Sequence, residues 1–131
     1  MSHEDVEIVR RTFDALFSRD FQRAVTGFHD DAVWHNTREF PGPGICVGPH
    51  AVVEFFETLW ESFDGETSIE QIIDGEGGVA VGAHTVGRGT TSGVPLDLRW
   101  AIAARVASAK ISRVDVYGEW AKALKAVRPE K

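Results

Sequence analysis

Residues 96–106 read Leu-Asp-Leu-Arg-Trp-Ala-Ile-Ala-Ala-Arg-Val, an apolar series at every second position with charges interleaved. A pleated strand sends successive side chains to opposite faces, so Leu96, Leu98, Trp100, Ile102, Ala104 and Val106 share one face. Asp97, Arg99 and Arg105 share the other. The stretch predicts a long antiparallel strand, buried on one side and polar on the other. Two strands of similar length precede it, Glu66–Ile73 and Val79–Gly89, and a shorter one follows at Ile111–Gly118. The joints Asp74-Gly75-Glu76-Gly77-Gly78, Thr91-Ser92-Gly93 and Ala107-Ser108-Ala109 have hairpin-turn composition. In the last strand Val114 and Val116 point inward, leaving Arg113 and Asp115 outside. In Val79–Gly89, one face carries Ala80, Gly82, His84, Val86 and Arg88. The other carries Val79, Val81, Ala83 and Thr85, and alternation alone leaves open which set is inside.

Upstream of the strands the apolar period lengthens to three and four. Val6, Val9, Phe13 and Leu16 form one stripe of a helix expected to be capped by Ser2, with Asp5 completing a capping box. Asp20 is placed to cap a second, shorter helix that buries Phe21, Ala24 or Val25, and Phe28. A short strand, Ala32–Asn36, leads into a loop containing Pro41-Gly42-Pro43-Gly44 and ending at Gly48-Pro49. A third helix spans about His50–Glu61, with Val52, Phe55, Phe56, Leu59 and Trp60 on its buried side. A last helix, Glu119–Val127, buries Trp120, Leu124 and Val127. Helices followed by a meander of strands predict an α+β fold, with helices on one face of a curved antiparallel sheet. Residues 1–131 are read as a single domain.

Composition narrows the functional classes. The 131 residues carry 14 Lys and Arg against 20 Asp and Glu, a net charge of −6. Such a chain does not suit a nucleic acid or an anionic membrane as partner. No apolar run approaches the roughly 20 residues of a membrane span, and the acidic start does not suit a signal peptide. A cytoplasmic protein is expected. Cys46 is the one cysteine, so no internal disulfide can form. His29, His35 and His50 lack ligand spacing, and no metal site is expected.

The order of several local strings resembles the SnoaL-like branch of the NTF2-like superfamily, which includes polyketide cyclases, ketosteroid isomerases and limonene epoxide hydrolase. The strings are Asp30-Asp31-Ala32-Val33-Trp34 after two helices, and Gly48 leading into Ala51-Val52-Val53-Glu54-Phe55-Phe56. Lys110-Ile111 running into Tyr117 and Ala121-Lys122-Ala123-Leu124 completes the set. The resemblance implies a cone in which a bent sheet wraps the helices around an apolar pocket, and it implies a homodimer. It also implies that most of the family's acids are replaced here. The isomerase base falls at Asn36, and its oxyanion-hole positions fall at Thr12 and Ile102. The epoxide hydrolase positions fall at Trp34, Asn36, His84, Val86 and Val116. The cyclases' aspartate also falls at Val116.

The same resemblance turns His84, Val86 and Arg88 toward the pocket. His84 is then the candidate general base or acid, since its reference pKa lies near neutrality. Asn36 is the candidate to position water or polarise a carbonyl, though it could equally serve the backbone of the loop that follows. Arg88 would meet a carboxylate or enolate at the mouth, or stand in solvent. Phe13, Phe17, Trp34, Phe56, Trp60, Leu98 and Trp100 would form the pocket wall, which suits a flat apolar ligand. The outer sheet face, with Arg99, Arg105, Arg113 and Asp115, would meet solvent or a second copy. Three functions follow from this reading. One is a cofactor-free acid–base isomerase, cyclase or hydratase acting on a small apolar molecule. Another is a binding protein for such a molecule, and the last is a dimerising accessory subunit.

Overall fold

The computed structural model describes residues 2–36 and 44–128. Ten elements follow one another: α1 (Ser2–Phe17), α2 (Phe21–Thr26), β1 (Phe28–His35), β2 (Ile45–Val47), α3 (Pro49–Glu61), β3 (Phe63–Gly75), β4 (Gly78–Gly89), β5 (Pro95–Ala107), β6 (Lys110–Tyr117) and α4 (Trp120–Val127). The six strands form one sheet in the order β2-β1-β6-β5-β4-β3. Every neighbouring pair is antiparallel except β1 and β6, which run parallel. Among the described residues no helix is long and apolar enough to cross a membrane.

Most elements lie where the apolar periods place them, with extensions at the strand ends. β1 begins four residues earlier than expected, and Ile45–Val47, expected within a loop, pairs with β1 as an edge strand. α1 includes Ser2 as its first residue, instead of starting after a Ser2 cap. Asp20 does cap α2, its side chain accepting from the Arg23 amide at 3.4 Å. The Pro41-Gly42-Pro43 part of the predicted loop lies outside the described residues.

The expectation that all helices share one face of the sheet is corrected by α4. Val79, Val81, Ala83, Trp100, Ile102 and Ala104 belong to the main core, with α1 and α3 packed over them. Ala80, Ala101 and Ala103 project to the opposite face, where Ala123 and Val127 of α4 cover them with Trp120 and Leu124. The small side chains on that face allow the helix to lie close. A methyl group added at Gly82 would already meet the Trp120 ring at 3.3 Å.

Two local devices shape the cone. Between Ile69 and Gln71 the β3–β4 pairing shifts by one residue, a bulge that leaves Glu70 as the extra residue. Ile69 and Ile72, three positions apart, therefore both pack against the same core. Nearer the open end, Gly65 pairs with Gly87, and the Phe63 ring lies against both. A Cβ at Gly87 would fall 2.2 Å from the Asp64 carbonyl oxygen and 2.7 Å from the Phe63 ring. Ala is ordinarily the better strand residue, but here it must push the strands or the ring aside. Gly87→Ala is expected to lower stability by about 1–3 kcal/mol, the usual cost of overpacking, measured by urea unfolding.

Candidate functional site

A cavity of about 680 Å³ opens between the helices and the β4–β5 end of the sheet. That volume lies within the range of small-molecule sites. The wall comes from Trp34 of β1, from Phe55, Phe56, Leu59 and Trp60 of α3, and from Phe63 at the start of β3. Val94, with Pro95, Leu96, Leu98 and Trp100 of β5, completes its apolar side chains among the described residues. Asn36, Ser62, Thr67, Thr85 and Ser92 supply the polar side chains among the described lining residues. None of those described lining residues is ionisable.

The aromatic wall is one connected packing unit. Trp34 and Phe56 meet edge to face with centroids 5.3 Å apart, and Phe56 meets Trp60 at 5.1 Å. Each such pair adds about 0.5–1.5 kcal/mol beyond simple burial. Phe13 and Phe17 lie behind this layer. Phe13 packs on Trp34 at 5.9 Å and Phe17 on Trp100 at 5.8 Å, and neither is among the lining residues. Their place in the pocket wall is thus corrected: they brace the rings that form it.

Two buried indoles determine how the polar groups are held. The Trp34 Nε1–H donates to Asn36 Oδ1 at 2.9 Å. An indole N–H can only donate, so the contact also sets the orientation of the Asn36 amide. The Trp100 Nε1–H donates to Thr85 Oγ1 at 2.9 Å, and Thr85 is linked to Thr67 Oγ1 at 2.8 Å. Thr67 and Thr85 are an in-register cross-strand pair, which brings their hydroxyls together.

His84 lies on the opposite face of the sheet, and the orientation implied by the family resemblance is corrected. β4 pairs with β5 so that Ala83 faces Trp100, His84 faces Arg99 and Thr85 faces Leu98. Paired residues project to the same side. His84 therefore joins Arg99 and Asp97, outside, and Thr85 joins Leu98, inside. Arg88 is exposed on the His84 side and does not line the cavity. The same register places Val86 outside, where it is 47 % exposed.

On that outer face His84 bridges two carboxylates. Its Nε2 lies 2.6 Å from Asp97 Oδ1 and its Nδ1 lies 3.3 Å from Glu70 Oε2. Arg99 grips Glu70 through Nε at 2.9 Å and Nη2 at 3.3 Å. The bulge at Glu70 brings its carboxylate within reach of both partners. The Arg99 hydrogen bonds hold the Glu70 carboxyl below its ordinary range. Farther along, Arg113 forks onto Asp115 with both contacts at 2.9 Å. Cys46 is buried, and desolvation raises its thiol pKa.

The SnoaL-like domain family matches residues 9–114. The chain belongs to that family. Solved structures agree on the fold. An NTF2-like protein from Burkholderia xenovorans is 20 % identical, with 98 % of each chain covered and a TM-score of 0.77. A SnoaL-type, polyketide-cyclase-like protein from a Jannaschia species is 16 % identical, covering 99 % of this chain and 95 % of its own, with a TM-score of 0.77. TerC, co-crystallised with polyporic acid, is 14 % identical, covering 95 % of this chain and 98 % of its own, with a TM-score of 0.76. No match was found among curated proteins.

Thr67, Thr85, Phe63 and the Val94-Pro95-Leu96 segment are cavity residues that sequence reasoning missed. The polar face of β5 was legible, and the β4–β5 turn length carries the parity that transfers it to β4. The Glu70–Arg99 contact also predicts a pH signature. Glu70 titrates lower in the folded chain than in the unfolded one, where the reference is about 4.3. Its contribution to stability is thus present above that reference and disappears as pH falls through the folded value. Arg99→Ala is expected to melt slightly below wild type at neutral pH, with the gap closing on the acid side of about pH 4. Melting curves across pH test this, and a gap independent of pH would contradict it.

Proposed function

We propose that this SnoaL-like protein binds a small, neutral, flat and largely apolar molecule in the cavity between α3 and the β4–β5 end of the sheet. The observation that carries the reading is the 680 Å³ cavity itself, walled by Trp34, Phe56, Trp60 and Trp100. Indole and phenyl faces favour planar apolar partners. Burying a charged ligand there would require a counter-charge, whereas the described lining offers amide, hydroxyl and indole groups. TerC, of similar fold, was crystallised with polyporic acid, in keeping with a cone that holds an organic molecule.

The placement of His84 moves the balance from acid–base turnover to binding. A general base must come within hydrogen-bond reach of the proton it takes, directly or through one water. His84 faces Glu70 and Asp97 across the sheet from the cavity. In this reading Asn36 serves as part of the binding wall and not as a catalyst.

Thermal melting with a panel of steroids, aromatic polyketides, terpenoid epoxides and unsaturated carbonyl compounds tests the proposal. A ligand at about 100 times its Kd adds about 2.7 kcal/mol, a shift of several degrees for a domain of this size. Leu98→Trp, which fills the cavity from β5, is expected to abolish the shift while retaining a cooperative melt. His84→Ala is expected to leave the shift unchanged. A panel without any shift, or a shift that survives Leu98→Trp, would overturn the proposal.

A further inference from the structure

The hydrogen-bond chain running from Trp100 into the cavity has a direction. Trp100 Nε1–H is the donor to Thr85 Oγ1, because indole nitrogen has no acceptor capacity. Thr85 is 8 % exposed, and its hydroxyl has two partners among the described residues, Trp100 and Thr67. If Thr67 donated to Thr85, the Thr85 proton would be left buried without an acceptor, a costly arrangement. With Thr85 donating to Thr67, each polar hydrogen in the chain up to that point is satisfied. Successive hydroxyls polarised in one sense also strengthen one another. The remaining proton is that of Thr67, whose side chain is half-buried and lines the cavity.

We infer that the cavity presents the Thr67 hydroxyl as an oriented hydrogen-bond donor and so selects flat apolar molecules bearing a carbonyl oxygen over their oxygen-free analogues. This rests on the binding reading of the cavity and adds the functional group that its ligand carries. The Trp100 indole fixes the sense of the chain from one end, and a ligand oxygen completes it at the other. A ligand hydroxyl can also accept there. A hydrocarbon leaves the Thr67 proton without a partner as the cavity dries around it, and the penalty falls on the hydrocarbon.

The probes are 9-fluorenone and fluorene, two planar tricyclic molecules of nearly equal size that differ in one carbonyl oxygen. Affinities are read from quenching of tryptophan fluorescence and from calorimetry. The wild-type protein is expected to bind fluorenone about five- to tenfold more tightly, the worth of one neutral hydrogen bond. Thr67→Val is expected to bring the two probes within about twofold of each other, as fluorenone loses its hydrogen bond and fluorene no longer strands a buried proton, and Thr67→Ser is expected to keep the preference. The preference of the wild-type protein is itself a test if Thr67→Val does not fold. Equal binding of the two probes by wild type, or a preference retained in Thr67→Val, would overturn the donor assignment and leave the cavity reading standing. Failure of both probes to bind would count against the cavity reading and this inference together.

Discussion

Ala83 opposite Trp100, His84 opposite Arg99 and Thr85 opposite Leu98 are three rungs of one ladder, and the character of the cavity follows from them. A slip by one residue would exchange the two faces of β4. His84 would enter the cavity and Thr85 would leave it, stranding the Trp100 indole without its acceptor. The observed register is stabilised on both sides at once. Inside, Val79, Val81 and Ala83 enter the core beside Trp100, Ile102 and Ala104. Outside, His84 closes a polar cluster with Glu70, Asp97 and Arg99.

That register explains how the fold could be legible in the sequence while half of the site was not. The α+β order, the three long strands with the shorter one after them, the Asp20 cap and the inward face of β5 were readable because each rests on a local period or a local capping signal. β2 was not readable, being three residues long and flanked by glycine and proline. β4 was ambiguous because both of its faces carry small or apolar residues: Ala80 and Gly82 make room for α4, a helix on the side where none was expected. Family resemblance turned His84 inward, but the resemblance operates at the level of the cone, and at 14–20 % identity the neighbours speak to fold alone. Trp34, Asn36, Phe56, Trp60, Leu98 and Trp100 were placed at the cavity by that same cone. The threonine pair was missed because its inward placement depends on the parity of a turn, and no single strand displays it.

The tryptophans do more than fill space. Each of the two most buried indoles, Trp34 and Trp100, carries an N–H that must find an acceptor in an otherwise apolar wall. Asn36 and Thr85 meet that need. The polar side chains of the cavity are thereby tied to the core, since moving either one exposes a buried donor. Among the described residues a site assembled this way is neutral and preorganised, with its polar groups supported from behind by rings that Phe13 and Phe17 hold in place.

Because α4 covers the outer face only around Ala80, Ala101 and Ala103, the sheet is sandwiched at one end and single-walled at the other. The sandwiched end holds a dry, small-residue core clamped from two sides. The single-walled end surrounds the cavity, and its hairpin exposes Val86, Val94 and Leu96. Tolerance to substitution is accordingly expected to differ along the strands. Replacements near the hairpin can reshape what the cone accepts while the clamped end continues to hold the chain together. One scaffold can in this way acquire many tastes without being rebuilt.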